Sequence, residues 1–344
     1  MIGADYSRPA GTRPAISQFA GPWGARGYIT DLGGPAHWIE FSPDHEAGQP
    51  EEGRDSTTRP GAPIVFVHGL GGSHLNWCLI GPKLAAGRRA VALDLYGFGL
   101  TPGSRATTAV QANAELLDRF VREVTGTPVI LVGNSMGGLI SILQTAARPD
   151  TVQGLVLIDP ALPLPRGKLD PKVTGNFLLY SLPGPGELFV RRYLLRRTPE
   201  QAVGQLLEIC YADPSRADPE LIAADIALIE RRKPISGHQA SVRAGTFLTA
   251  ARSLLRVLGL RSRYWEMMAG IDVPVLLIGG EDDRLVQVAA MREAAARFPH
   301  WESVILAGVG HTPMLEVPDA VAGTIHDWLD RYQGERGHAS TDRT

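Results

Sequence analysis

From residue 63 onward the chain alternates short apolar runs with longer stretches in which apolar residues return every three or four positions. The runs are PIVFV at 63–67, AVALD at 90–94, PVILV at 128–132, VQGLVLI at 152–158, VPVLLIG at 273–279 and SVILA at 303–307. They are rich in β-branched residues and lack polar alternation, the pattern of strands buried on both faces. Between them, residues 75–86, 108–124, 136–147, 288–298 and 318–332 carry helical spacing. Strand followed by helix, repeated, predicts an α/β fold with a mostly parallel, doubly wound sheet covered on both sides and joined by right-handed crossovers.

One interval breaks the rhythm. Residues 161–270 hold no convincing strand but several amphipathic stretches, among them AVGQLLEICYA, ELIAADIALIE and TFLTAARSLLRVL. They predict a helical cap inserted between two strands, so that residues 25–160 and 271–333 form the core. Two further strand candidates, 27–32 and 36–41, precede the alternation. The Gly/Pro/Ala-rich residues 1–24 predict a loose leader, and 334–344 a polar tail. SPDHEAGQPEEGRDSTTRPGAP, residues 42–63, has no period and predicts a long hairpin loop or a disordered insertion. No repeat at a fixed period is present, which removes solenoids and propellers.

Composition narrows the function classes. Hydrophobic residues make up 44% of the 344, charged residues 20%, and the formal net charge is −2. Such a balance gives no reason for disorder and no electrostatic footprint for nucleic acid. Cys78 and Cys210 are far apart, with no Cys/His spacing that would hold a metal or a disulfide framework, so a reducing cytoplasm is the expected setting. The first residues lack an apolar signal core, and no apolar run approaches the roughly 18 residues needed to span a bilayer, so no integral membrane association is expected. Oligomeric state leaves no mark on the pattern.

Against this frame Gly133-Asn134-Ser135-Met136-Gly137 stands out, a G-x-S-x-G run that closes a predicted strand and opens a predicted helix. A turn there strains the serine backbone, and flanking glycines remove the Cβ atoms that would collide with strand and helix. The hydroxyl is lifted above the sheet edge, beside the free N–H groups of a helix N-terminus. A second run, HGLGG at 68–72, follows the strand PIVFV directly. With these two motifs the chain resembles the α/β-hydrolase superfamily from about residue 61 to 332. The resemblance implies an oxyanion hole formed by the backbone amides of Leu70 and Met136. DLYGFGLT at 94–101 also matches the superfamily, and Asp94, Gly97 and Gly99 are expected to be architecture rather than catalysis. His68 is expected to hold its loop, with no part in proton transfer.

A serine nucleophile needs a histidine to take its proton and a carboxylate to fix that histidine's tautomer. In this superfamily the chain order is serine, acid, histidine. Of the histidines after Ser135, His311 lies in a Gly-flanked loop after the last strand, where Gly308–His311 matches the superfamily's G-x-G-H. His238 falls in the cap, His300 before a strand, His326 in the terminal helix and His338 in the tail. For the acid, GEDD after VPVLLIG places Asp283 in the register the resemblance implies. Asp282, Glu281 and Asp159, which ends the strand before the cap, remain alternatives. The expected site is therefore Ser135, Asp283 and His311, with neither metal nor organic cofactor required.

The cap carries Phe177, Tyr180, Phe189, Tyr193, Tyr211 and Trp265, which favours a small apolar acyl or aryl ester as substrate. Arg191, Arg192, Arg196 and Arg197 are expected to form a solvated helix face. Serine at 135 argues against the branches whose nucleophile is a carboxylate. The leading reading is an esterase or lipase-like hydrolase. A carbon–carbon hydrolase of ring-cleavage products is the alternative, and a perhydrolase or acyltransferase would use the same residues. A ligand-binding protein that kept only the fold is the alternative of another class.

Overall fold

The computed structural model describes residues 11–15, 19–42, 61–163, 175 and 179–341. Their strands join one sheet: β1 (Arg13–Ala15), β2 (Ala25–Asp31), β3 (Pro35–Phe41), β4 (Gly61–Val67), β5 (Arg88–Leu93), β6 (Val129–Asn134), β7 (Val152–Ile158), β8 (Val275–Gly280) and β9 (Glu302–Leu306). The spatial order is β1-β2-β3-β5-β4-β6-β7-β8-β9. The β1–β2, β2–β3 and β3–β5 pairs are antiparallel, and every pair from β5 to β9 is parallel. From β4 the chain moves to β5 on one side and then crosses to β6 on the other. The strand order therefore reverses between β4 and β6, and a crevice opens at their carboxyl ends.

Alternate residues of each central strand feed two separate cores, which is why the strands read as unbroken apolar runs. Val65, Val67, Leu131, Leu155 and Leu277 pack on one face, with α2 (Val110–Phe120) and α3 (Met136–Ala147). Ile64, Phe66, Ile130, Val156 and Ile278 pack on the other, with Trp77 and with Trp328 of the C-terminal helix. Stacking of Phe66 on Trp77, ring centroids 5.0 Å apart, extends the second core.

Three expectations need correction. The spacing over 75–86 predicts one helix, but the chain forms a 3-10 turn, His74–Trp77, and a short α1, Gly81–Leu84. Pro82 has no N–H to bond back to Cys78, so one continuous helix cannot form. The leader assigned to 1–24 is not wholly loose, because residues 13–15 pair with β2 in an antiparallel ladder; residues 1–10 and 16–18 lie outside the described residues. The tail from 334 does not break away either. The last helix runs Pro318–Thr341, with no proline to stop it and with Gln, Glu, Arg and Ala that tolerate helical backbone well. The insertion at 43–60 also lies outside the described residues.

Between β7 and β8 the described chain is helical: α4 (Pro185–Arg196), α5 (Pro199–Cys210), α6 (Pro219–Arg232), α7 (Gly237–Gly259) and α8 (Arg261–Ala269). Thr198, Asp218 and Ser236 each cap a helix start by accepting an N–H with the side chain. Phe177 and Leu178 lie outside the described residues. α9 (Val288–Arg297) follows β8, and α10 (Pro313–Glu316) leads into the final helix, α11 (Pro318–Thr341). Among the described residues no helix is long and apolar enough to cross a membrane.

Candidate active site

Ser135 stands at the carboxyl end of β6, between Asn134 and the first residue of α3. Its φ is 53°, and only Asp159, at 40°, shares a positive φ among the described non-glycine residues. Holding a side chain in that region costs of order 1–3 kcal/mol, and the surroundings enforce it. Ser135 N–H donates to Ile158 O at 3.2 Å, and Ala161 N–H donates to Ser135 O at 2.9 Å. The turn is thus clamped to the end of β7. The start of α3 is pressed equally hard on β4, since a Cβ on Gly137 would overlap the Val67 carbonyl oxygen. The G-x-S-x-G spacing allows this close approach.

The loop after β4 lies against the serine. A Cβ added to Gly69 would come 3.1 Å from Ser135 Cβ. His68 locks that loop from beneath: its Nδ1 bonds Gly69 O at 2.8 Å and its Nε2 accepts Leu95 N–H at 3.0 Å. The second bond requires a bare Nε2, so the proton sits on Nδ1. Full burial drives the His68 pKa down to about 4, against the pull of Asp94. A histidine that stays neutral with both nitrogens engaged holds the loop and moves no proton. Among the described residues neither the Leu70 nor the Met136 amide donates to a protein acceptor.

His311 and Asp283 come from the loops after β9 and β8. The imidazole Nδ1 and Asp283 Oδ2 are 2.7 Å apart, and both side chains are buried. Asp283 Oδ1 accepts the Leu285 and Val286 amides at 2.6 and 3.0 Å, which aims the other oxygen at the histidine. With Nδ1–H held by the carboxylate, Nε2 is left free to accept a proton. Among the described residues no hydrogen bond joins the Ser135 hydroxyl to the imidazole; such bonds commonly close only when substrate binds. The alternatives for the acid separate cleanly. Asp282 and Glu281 are exposed, and Glu281 pairs with Arg292. Asp159 is buried and accepts the Gly280 amide at 3.1 Å. Burial and the charge of neighbouring Asp283 push its pKa well above the usual carboxylate range, outweighing that amide bond. Asp159 therefore faces Asp283 and the Gly280 amide, and no hydrogen bond joins it to His311 among the described residues.

Two residues that join these loops leave no signal in the sequence pattern. Asn134 Nδ2 donates to Ile158 O at 3.0 Å and to His311 O at 3.1 Å, tying the end of β6 to the histidine loop. Buried Glu316 accepts the amides of Gly310, Ala212 and Asp213 at 2.8, 3.1 and 3.0 Å and meets Arg216 at 3.2 Å. It fastens the same loop to the helical segment. His311 N–H also donates to Cys210 O at 2.6 Å. Burial pushes the Cys210 thiol up to about 12, so it offers no competing nucleophile.

Among the described residues one group places ligand atoms close enough to share a cation: His37, His74 and Asp94. Instead of leaving room for an ion they bond one another. Asp94 takes Nδ1 of His37 at 2.8 Å, Nδ1 of His74 at 2.9 Å, and the His74 and Leu100 amides at 2.7 Å. Burial raises its pKa, but attraction to His74 and the bonds from both histidines hold it well below the usual range. This cluster pins the turn after β5 to β3, the architectural part that DLYGFGLT implies.

The alpha/beta hydrolase family model matches residues 64–324, and the chain belongs to that family. Over 267 residues it is 26% identical to the "Uncharacterized hydrolase YugF" of Bacillus subtilis, covering 77% of this chain and 89% of that protein. It is 24% identical over 279 residues to human monoacylglycerol lipase ABHD6, covering 79% and 77%. The Xanthomonas campestris pimeloyl-[acyl-carrier protein] methyl ester esterase is 27% identical over 279 residues, with 78% and 95% covered. Among solved structures, a putative lipase (lip1) from Acinetobacter baumannii superposes with a TM-score of 0.69 at 21% identity, covering 92% and 95%. That likeness shows the fold, and the sequence relatives support a general hydrolase activity.

Proposed function

We propose that the protein is a serine hydrolase that cleaves carboxylic esters of apolar acyl or aryl groups through an acyl-enzyme. His311 Nε2 takes the Ser135 proton as Oγ attacks the ester carbonyl. The Leu70 and Met136 amides hold the oxyanion, and the imidazolium returns its proton to the departing alcohol. Water, deprotonated by the same imidazole, then attacks the acyl carbon and releases acid and free Ser135. Asp283 keeps Nδ1 protonated and stabilises the imidazolium throughout. Helices α4 to α8 act as a cap over this site: a Cβ on Gly310 would overlap the Cys210 carbonyl oxygen, so the end of α5 rests on the histidine loop. The observation that carries the reading is the 2.7 Å bond between Asp283 and His311, at the same sheet end as the strained serine. Two of the relatives are named for ester cleavage, a lipase and a methyl ester esterase, which accords with it.

The test is a substrate comparison. Purified protein and its Ser135→Ala variant are assayed on p-nitrophenyl esters of increasing acyl length and on a vinylogous dienoate ring-cleavage product. Ester turnover that falls by roughly 10,000-fold or more in the variant is expected. Dienoate cleavage with poor ester turnover would make the protein a carbon–carbon hydrolase. No turnover of either by folded protein would leave a binding protein.

A further inference from the structure

Among the described residues, two guanidinium groups on the cap helices have no acidic partner within 4.0 Å. Arg232 closes the inward stripe of α6, four residues after buried Leu228, and its Nη2 donates to Gly97 O at 2.6 Å. Gly97 belongs to the turn after β5. Arg243 lies on α7 three and four residues before Thr246 and Phe247, on the same helix face. That face is turned to the core. A Cβ on Gly97 would come 3.6 Å from Thr246 Cβ, and one on Gly71 would come 3.9 Å from the Phe247 ring. Gly71 lies in the loop whose Gly69 touches Ser135. Arg232 therefore meets the turn after β5, and Arg243 shares the α7 face that meets this turn and the loop beside Ser135.

Among the described residues no carboxylate comes within 4.0 Å of either guanidinium. Buried Arg89, by contrast, meets Glu40 at 3.1 Å. Burial, with the charge of Arg243 beside it, pulls the Arg232 pKa down to about 10, against the opposing pull of Asp94. Burial lowers Arg243 as well. Both residues nevertheless keep part of their surface accessible. Two cations that repel each other and are partly removed from water are costly to maintain without a counter-ion. The planar fork of arginine suits a carboxylate or phosphate in particular.

Resting on the serine-hydrolase reading above, we propose that Arg232 and Arg243 form a subsite for an anionic oxygen group on the substrate. The preferred ester then has an apolar body, suited to the cap, and a carboxylate or phosphate at a distance from the scissile carbonyl. An anion seated there gains charge-assisted hydrogen bonds from both guanidinium groups and relieves their repulsion.

The test compares mono-p-nitrophenyl esters of dicarboxylic acids with p-nitrophenyl esters of monocarboxylic acids of equal chain length. The wild-type protein is expected to favour the charged ester by about 10- to 100-fold in kcat/KM, mainly through KM. In Arg232→Met/Arg243→Met, where methionine keeps the apolar stem, the charged-to-neutral ratio falls to about one. If the double variant does not fold, Arg243→Met alone carries the test, with a partial fall of the ratio expected. A p-nitrophenyl ester bearing a phosphate in place of the carboxylate separates the two anion sources. Calorimetric titration with adipate and with inorganic phosphate gives a readout free of turnover: binding of at least one to wild type, lost in the variant, supports the subsite. No preference in wild type, or a preference the variant keeps, overturns it. Absence of all ester turnover with anion binding intact would overturn the hydrolase reading and leave the subsite standing.

Discussion

Acid should weaken this protein through one histidine. His68 is fully buried, its Nε2 accepts the Leu95 amide, and its pKa falls from 6.5 to about 4. The depressed value fixes the sign. Above pH 6.5 the imidazole is neutral in folded and unfolded chains alike, and it makes no pH-dependent contribution. Between 6.5 and about 4 the unfolded chain binds a proton that the folded chain refuses, so stability falls as pH falls. Each pH unit is worth about 1.36 kcal/mol, giving about 2 kcal/mol lost by pH 5 and about 3 kcal/mol by pH 4. His68→Gln retains a side-chain acceptor near the Leu95 amide and cannot titrate. Urea unfolding of both proteins at pH 7.5, 6.0 and 5.0 isolates the term, because every other titrating group is shared. The wild type should lose about 2 kcal/mol more than the variant between pH 7.5 and 5.0. Parallel stability curves would refute the assignment of a neutral, doubly engaged His68.

Further outcomes follow from the same geometry. Asp283→Asn should lower kcat on a p-nitrophenyl ester by about 10,000-fold, because the amide favours the wrong imidazole tautomer. Asp159→Asn, which replaces a buried carboxyl whose pKa is pushed up and which does not bond His311, should lower it by less than about tenfold in the same assay. Asn134→Ala removes the side-chain donor to the buried His311 carbonyl and one of the two donors to Ile158 O, where the Ser135 amide remains. It should cost about 1–3 kcal/mol in denaturant unfolding and reduce kcat more than it raises KM.

The parts legible in the sequence are those that local chemistry fixes. β4, β6 and β7 are fed from both faces by separate cores, so they read as apolar runs whatever their neighbours. Ser135 was legible because strand, glycines and helix start are consecutive, and His311 because its loop follows the last strand. The pattern over 75–86 misled because apolar periodicity continues through Pro82, which has no N–H to bond back to Cys78 and so starts a separate helix. The tail past 334 misled in the opposite direction, since a polar stretch without a stop residue can continue a helix that packing has already started. Asn134, Glu316 and Arg232 were illegible for a different reason. Asn134 acts on a carbonyl 177 residues away, Glu316 on amides 103 and 104 residues away, and Arg232 on a turn 135 residues away. No spacing in one sequence encodes such distances.

The central claim is that Ser135 is a nucleophile activated by His311 and served by two backbone amides. Incubation with a fluorophosphonate, followed by peptide mass spectrometry, tests it most directly. The account predicts one phosphonylated residue, Ser135, with the adduct forming far more slowly in His311→Ala. Labelling at another residue, or no adduct on folded protein, would contradict it.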